Sequence, residues 1–398
     1  MAIALNGSAV AQDAARPTSL FQFNQTTGYD PGAGVITDKH GAIYGTTDGG
    51  GTGPCSAGAG CGTVYALSPP APGGSGWTFS KLYDFQGGRD GSFPSAPLAL
   101  APNGSLYGYT TGGNYGTVWE LQRPTKLGDS WKFQILYTFT GKADGNLLSV
   151  YPALVYRDGA LYGVASGGSL VCGQFGCGSV FRLTPNPRGG EWLEKTLYEF
   201  TGAGPDGQPD AIVGFAENGP LYVSTTLGNG EVAQFSPPAS TGPWTERVLT
   251  QFAGGADGKS PSNLVLAPDG TLYGLANGAS TGGLTFQLTP PVTAAGTWTR
   301  TKIAAISYHR YGPSSLARGA NGSLIGVIEG DFDFFAGSAF QLTPPVSGAS
   351  WTYRELWNFN NGPDRNPLGV VTGRGGNLFG VLYGGGYSGG LVFELRKP

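Results

Sequence analysis

Apolar runs of four to eight residues, rich in β-branched and aromatic side chains, alternate along this chain with clusters of glycine, proline, asparagine and aspartate, a pattern that supports strands and gives little support to helices. The runs keep one order. A stretch such as "APLALAPNG" leads into Gly-x-(Leu/Ile)-Tyr-Gly, then a glycine-rich loop, then "GTVWEL" or "GSVFRL", a Thr-Pro-Pro-like turn, and finally a run such as "WKFQILYTF". Asn-Gly or Asp-Gly joins the first two runs, which is a hairpin signal because both central residues of a type I′ turn need positive φ. Each unit therefore reads as a four-stranded antiparallel meander.

The unit recurs seven times, as "GAIYG" at 41, "GSLYG" at 104, "GALYG" at 159, "GPLYV" at 219, "GTLYG" at 270, "GSLIG" at 322 and "GNLFG" at 376. The starts lie 63, 55, 60, 51, 52 and 54 residues apart, somewhat longer than common propeller repeats, with the excess in loops. One such sheet cannot bury both faces, but seven packed radially can. The expected fold is all-β, a seven-bladed β-propeller. Its last unit ends at "GGLVFELRKP" with three runs, and "TSLFQF" at 18 to 23 resembles the missing fourth, so the two ends are expected to share a blade. That closure would leave no free sheet edge between first and last blades.

The pattern "DGSFPSAPLALAPNGSLYGYTTGGNYGTVWEL", echoed over nearly all of residues 18 to 398, resembles the GloVer-type tandem-repeat family of bacterial exported proteins. The resemblance implies an extracellular or surface location, often with a C-terminal sorting anchor. It brings no settled activity and no catalytic residues. With no anchor at "FELRKP", a secreted form is expected, the periplasm or cell surface being the alternatives.

Composition narrows the partners. Charged residues are 12% of the chain and the net charge is -3, so no basic face invites nucleic acid. No stretch approaches the roughly 18 apolar residues of a membrane span. Residues 1 to 17, beginning "MAIALNGSAVAQDA", read as a disordered leader or signal-peptide remnant: Ala9-Val10-Ala11 resembles a cleavage site, but the positive start is lacking. Residues 18 to 398 are expected to form one propeller domain acting as a monomer. Cys55 with Cys61 and Cys172 with Cys177 sit in two glycine-rich loops at spacings that fit local disulfides better than a metal site, which places the chain in an oxidising compartment. No cofactor and no metal are expected from the motifs.

Candidate chemistry lies on the face shared by two loop sets, those joining one blade to the next and those joining a blade's second and third strands. Asp90, Asp144, Asp206, Asp257 and Asp364, with Asp30 as a looser member, could ring that face with carboxylates, although Asp before Gly is also ordinary turn chemistry. The sixth unit breaks the rule on both loops. Tyr311-Gly312 stands where Asp-Gly would be, preceded by Tyr308, His309 and Arg310, and "EGDFDFFAG" supplies Glu329, Asp331, Phe332, Asp333, Phe334 and Phe335, while the unit's Leu-Tyr-Gly tyrosine is Ile325.

Tyr308, His309, Arg310, Tyr311, Asp331, Phe332, Asp333 and Phe334 are thus the candidate ligand-binding set, with a glycan or surface polymer as the favoured ligand. His309, Arg310, Tyr311, Glu329 and Asp331 are the catalytic candidates of the alternative, a polysaccharide-active enzyme: a lyase using a Tyr or His base beside Arg, or else a hydrolase using paired carboxylates. Plain repeat drift and a protein-interaction scaffold are the competing readings. His40 is expected to be solvated on the opposite face, and Tyr44, Tyr107, Tyr162, Tyr222 and Tyr273 to serve blade packing.

Overall fold

A computed structural model describes residues 16–396, apart from 56–57, 114, 127, 148–153, 168–171, 174–175, 215–218, 279–281, 294–295, 307–312, 331–335, 347–349, 360–365 and 384–388. The described strands form seven four-stranded antiparallel sheets, and no α-helix occurs among the described residues. Blade 1 contains Ile36–Thr37, Ile43–Thr47, Thr63–Ser68 and Thr78–Asp84 in that order. Blade 7 is built from Pro367–Thr372, Leu378–Leu382 and Leu391–Leu395, and Thr18–Gln22 pairs with the last of these as the fourth strand. The expected closure is therefore present. First strands adjoin one another between blades 2 and 3, 4 and 5, 5 and 6, 6 and 7, and 7 and 1, the arrangement of inner strands around the axis of a closed ring. No helix among the described residues is long and apolar enough to cross a membrane.

The consecutive apolar residues of each fourth run have a geometric cause. Pairing between third and fourth strands slips by one residue in every blade, leaving Leu82, Leu136, Leu197, Leu249, Ile303 and Leu356 without a partner across the ladder. A bulge of this kind lets two neighbouring side chains depart from strict alternation. Thr18–Gln22 slips in the same place, at Leu20, which identifies it as a true outer strand rather than a stray addition.

The Leu-Tyr-Gly motif also gains a reason for each residue. Its glycine faces an aromatic residue of the third strand: a Cβ on Gly45, Gly108, Gly163, Gly274, Gly326 or Gly380 would fall 2.4 to 2.7 Å from Tyr65, Trp119, Phe181, Phe286, Phe340 or Phe393. Blade 4 solves the same packing problem with the sizes exchanged, pairing Val223 with Ala233. Its "LYV" is a compensated change.

The motif's tyrosine reaches the next blade. Tyr44, Tyr107, Tyr162, Tyr222 and Tyr273 meet Trp131, Trp192, Trp244, Trp298 and Trp351, each the residue just before the next blade's outer strand, and Phe379 meets Trp77 across the closure. Centroid separations run from 5.6 to 6.4 Å. The Tyr44 and Tyr107 hydroxyls donate to Asp38 at 3.2 Å and Glu120 at 3.0 Å. Blade packing is thus the role of these tyrosines, as expected. Ile325 belongs to the same logic, because the outer strand it would serve starts at Thr18 and is preceded by Pro17, not tryptophan. The loss of that tyrosine is a packing change and carries no weight as a mark of a site.

Substituting Ala233→Phe alone is expected to overpack blade 4 and destabilise the protein by about 1–3 kcal/mol. Adding Val223→Gly should restore much of that loss, and unfolding midpoints of the single and double variants check it.

Candidate functional site

Each blade enters the ring through a fixed junction. The backbone N–H groups of Asp30, Phe93, Leu147, Gln208, Ser260 and Asn366 donate to carbonyls of the preceding blade, at Gly389, Cys61, Tyr115, Cys177, Asn229 and Ala336, over 2.7 to 3.1 Å. Five of these donors, all but Leu147, have φ between 49° and 57° and immediately precede a proline, at or near the start of the inner strand. That conformation is costly for residues other than glycine, and more so before proline. The proline itself abuts a glycine ahead of the previous blade's third strand: a Cβ on Gly62, Gly178, Gly230, Gly337 or Gly390 would lie 2.4 to 2.6 Å from Pro94, Pro209, Pro261, Pro367 or Pro31.

These junctions settle the role of the repeated aspartates. Asp90, Asp144, Asp206 and Asp257 accept backbone N–H groups of Gln86, Thr140, Thr201 and Ala253 at 2.8 to 2.9 Å, and Asp90 and Asp144 also accept the Tyr83 and Tyr137 hydroxyls at 3.0 Å. They hold loops, as turn aspartates do. Asp364 lies outside the described residues.

Different carboxylates stand at the channel mouth. Asp48 follows the second strand of blade 1, beside Gly32 of its own blade and hydrogen-bonded to Ser95 of blade 2. Its Oδ1 is buried without a hydrogen-bond partner, and burial pushes its carboxyl up to about 6 despite the Ser95 bond. Asp30 accepts the Tyr383 hydroxyl, and burial raises its carboxyl too. Asp210 follows Pro209 as Gly32 follows Pro31, in a recess lined by Ser166, Gln208, Pro209 and Thr226. It is reached by solvent yet raised to about 6 by its enclosure, a combination that fits a side chain in a concave opening.

Glu329 occupies in blade 6 the place Asp48 holds in blade 1, and burial raises its carboxyl as well. Of the sequence-derived candidates, Tyr308, His309, Arg310, Tyr311, Asp331, Phe332, Asp333 and Phe334 lie outside the described residues, as does Phe335. Their described anchors converge: Pro313 pairs with Ile328, and Ile328 with Ser338, so both segments leave and rejoin blade 6 at the mouth end of its strands. In sequence, Gly312 precedes Pro313 as Gln208 precedes Pro209 and Ser260 precedes Pro261, and Arg310 and His309 stand at the spacing from the proline that Asp206 and Asp257 have in those units. His40 is exposed on the opposite face, its backbone N–H held by Asp38.

A family profile for the Gloeobacter/Verrucomicrobia repeat matches residues 7–170 and 149–393. The chain belongs to that family. No curated protein matches its sequence. Among solved structures, this member of the repeat family is similar to a putative 6-phosphogluconolactonase from Bacteroides uniformis at 13% identity, TM-score 0.55, over 86% of this chain and 90% of that one. It is also similar to a fungal alcohol oxidase of the AA5 family, at 13% identity and TM-score 0.59 over 96% and 77%. A third likeness is to the Cps50 (Swd1) β-propeller domain of Myceliophteria thermophila, at 11% identity and TM-score 0.56 over 96% and 100%. These likenesses concern the fold alone.

The repeat-family chain carries both expected disulfides, Cys55–Cys61 and Cys172–Cys177, with Cα separations of 5.0 and 4.9 Å. They fit a protein held outside the reducing cytoplasm. Each also sits at a junction, since Cys61 and Cys177 supply the carbonyls that receive Phe93 and Gln208.

Sequence reasoning missed Asp48 and Asp210 because it compared motifs rather than single repeat positions. Lining up the residue after each second strand, or after each junction proline, would have found both. Because folding raises these two carboxyls above their unfolded values, the ionised forms weaken the native state at neutral pH, and the stability they contribute is complete below about pH 4 and lost as pH rises through 6. Melting temperature is therefore expected to climb as pH falls from 7.5 to 5. An Asp48→Asn, Asp210→Asn variant should melt higher at pH 7.5 and show a flatter rise, by scanning calorimetry.

Proposed function

We propose that this protein is a secreted or cell-surface propeller that binds an extracellular glycan at the channel mouth, acting as a single chain. The observation that carries this reading is the Asp48 carboxylate, whose buried Oδ1 has no hydrogen-bond partner where blade 1 meets Ser95 of blade 2. A buried acceptor without a partner is costly, and a ligand hydroxyl relieves that cost. Asp210, in its recess with Ser166 and Thr226, offers a second acceptor among hydroxyls, and Glu329 a third on blade 6. Sugar rings present several hydroxyl donors to such a mouth, and the aromatic and charged residues of the blade 6 rim, Tyr308 to Tyr311 and Asp331 to Phe334, supply stacking faces and further polar contacts.

The test is a glycan array followed by titration calorimetry of the best ligand. Wild type should bind, Asp48→Asn with Asp210→Asn should weaken binding at least tenfold, and the His309→Ala, Arg310→Ala, Tyr311→Phe variant should alter ligand preference. Polysaccharide mixtures are checked for new reducing ends and for unsaturated uronate absorbance in the same experiment. Product formed by wild type and lost in the blade 6 variant would replace the lectin reading with an enzyme. Absence of any bound glycan would sink it.

A further inference from the structure

Blade 4 comprises Pro209–Val213, Leu221–Thr225, Glu231–Ser236 and Thr245–Gln251, and where it meets blade 3 it gathers three acids. One carboxylate oxygen from each of Asp206, Glu231 and Glu246 lies within 4.8 Å of the other two. The residues come from the entry loop, the third strand and the outer strand. Glu231 is only 1% exposed, and its Oε1 is buried without a hydrogen-bond partner. The same is true of Asp206 Oδ1 and Glu246 Oε1.

The other oxygens are engaged. Asp206 Oδ2 accepts from the Thr201 backbone and hydroxyl, Glu231 Oε2 accepts from Gln251 at 3.1 Å, and Glu246 Oε2 accepts the Tyr198 hydroxyl at 2.8 Å. One oxygen of each acid is thus held outward while the second is left without a donor. Burial, and after it the neighbouring acids, raises the carboxyls of Glu231 and Glu246.

The adjacent blade shows what this place requires. Asp257 is the blade 5 counterpart of Asp206, and there the counterpart of Glu246 is Arg300, which pairs with Asp257, while the counterpart of Glu231 is the apolar Leu284. Burial pushes the Asp257 carboxyl up, but the Ala253 N–H, Arg300 and Lys302 together hold it below the ordinary range. Blade 5 therefore neutralises its loop aspartate with a built-in cation. In blade 4 an acid stands at the place of that cation, as Glu194 does in blade 3, and Glu231 adds a second acid beside it.

We infer that Asp206, Glu231 and Glu246 bind a divalent cation of the calcium class at the junction of blades 3 and 4. All three donors are carboxylate oxygens, the choice of a hard cation, and they lie close enough together, within 4.8 Å, for one calcium ion to bond all three at about 2.4 Å without the strict octahedral geometry that magnesium demands. Two positive charges offset most of three negative ones, and the Tyr198 hydroxyl donates to the set at Glu246. The site is separate from the channel-mouth carboxylates, so its fate and that of glycan binding are read independently.

Chelator-treated full-length protein titrated with calcium chloride should give a single-site isotherm with Kd about 10⁻⁴–10⁻³ M, the range of extracellular calcium modules, and a melting temperature that rises with calcium. Glu231→Gln with Glu246→Gln should melt higher than wild type without calcium and lose the calcium response at least tenfold. Glu246→Arg, which copies blade 5, should also melt higher without calcium and no longer respond. No heat and no shift up to about 10 mM calcium in wild type would overturn the assignment, as would an undiminished response in the glutamine variant.

Discussion

A ring of separate sheets stands or falls on how firmly each blade holds the next, and here the recurring hold is a tryptophan laid against an aromatic ring of the blade before it. Six of the chain's eight tryptophans serve this one purpose, from Trp131 on Tyr44 round to Trp77 on Phe379. Such pairs are worth about 0.5–1.5 kcal/mol each beyond the area they bury, and their larger effect is to fix the angle between blades. The remaining interface, between blades 6 and 7, has no such pair. There Ile325 packs in an aliphatic cluster with Val370, Leu378 and Leu395 of blade 7. Closure at this point relies on the paired backbone of Thr18–Gln22, which ties the N-terminal strand to the C-terminal one.

The second hold is backbone-borne. At five described junctions a residue in a left-handed conformation precedes a proline that fits against a glycine with no room for a side chain. The backbone strain is sustained by a hydrogen bond to the previous blade, so the junctions are rigid. The residue after the junction proline is small in blades 1 and 2, Gly32 and Ser95, with Asp48 beside both, whereas in blade 4 it is Asp210. A polar group there has little to bond to except its own ring neighbours or a ligand.

Much of the architecture was legible in the sequence because its causes are periodic. Blade number, strand order, the shared last blade and both disulfides follow from spacings that turns, bulges and packing repeat seven times. The loop aspartates were legible as well, since Asp-Gly chemistry is local. Asp48 was not, because its raised carboxyl arises from burial against a second blade that is distant in sequence. The sixth unit was legible only as a set of departures, and one of them, Ile325, is now accounted for by the partner it lacks. Glu231 and Glu246 stayed hidden because they sit 15 residues apart on different strands and meet Asp206 only after the sheet forms.

Departures from a repeat are most informative when sorted by whether the protein compensates for them. Ile325 is matched by the absence of a tryptophan before Thr18, and Val223 by the small Ala233 across the sheet, so neither change needs anything from outside the chain. The carboxylates of blade 4 have no such match. Two acids facing the half-buried Asp206 cost stability with every ionisation. A bound cation is what would offset that cost. The same reasoning applies at Asp48, whose buried Oδ1 has no hydrogen-bond partner, and it makes the uncompensated positions, rather than the merely unusual ones, the places to test for binding of other molecules.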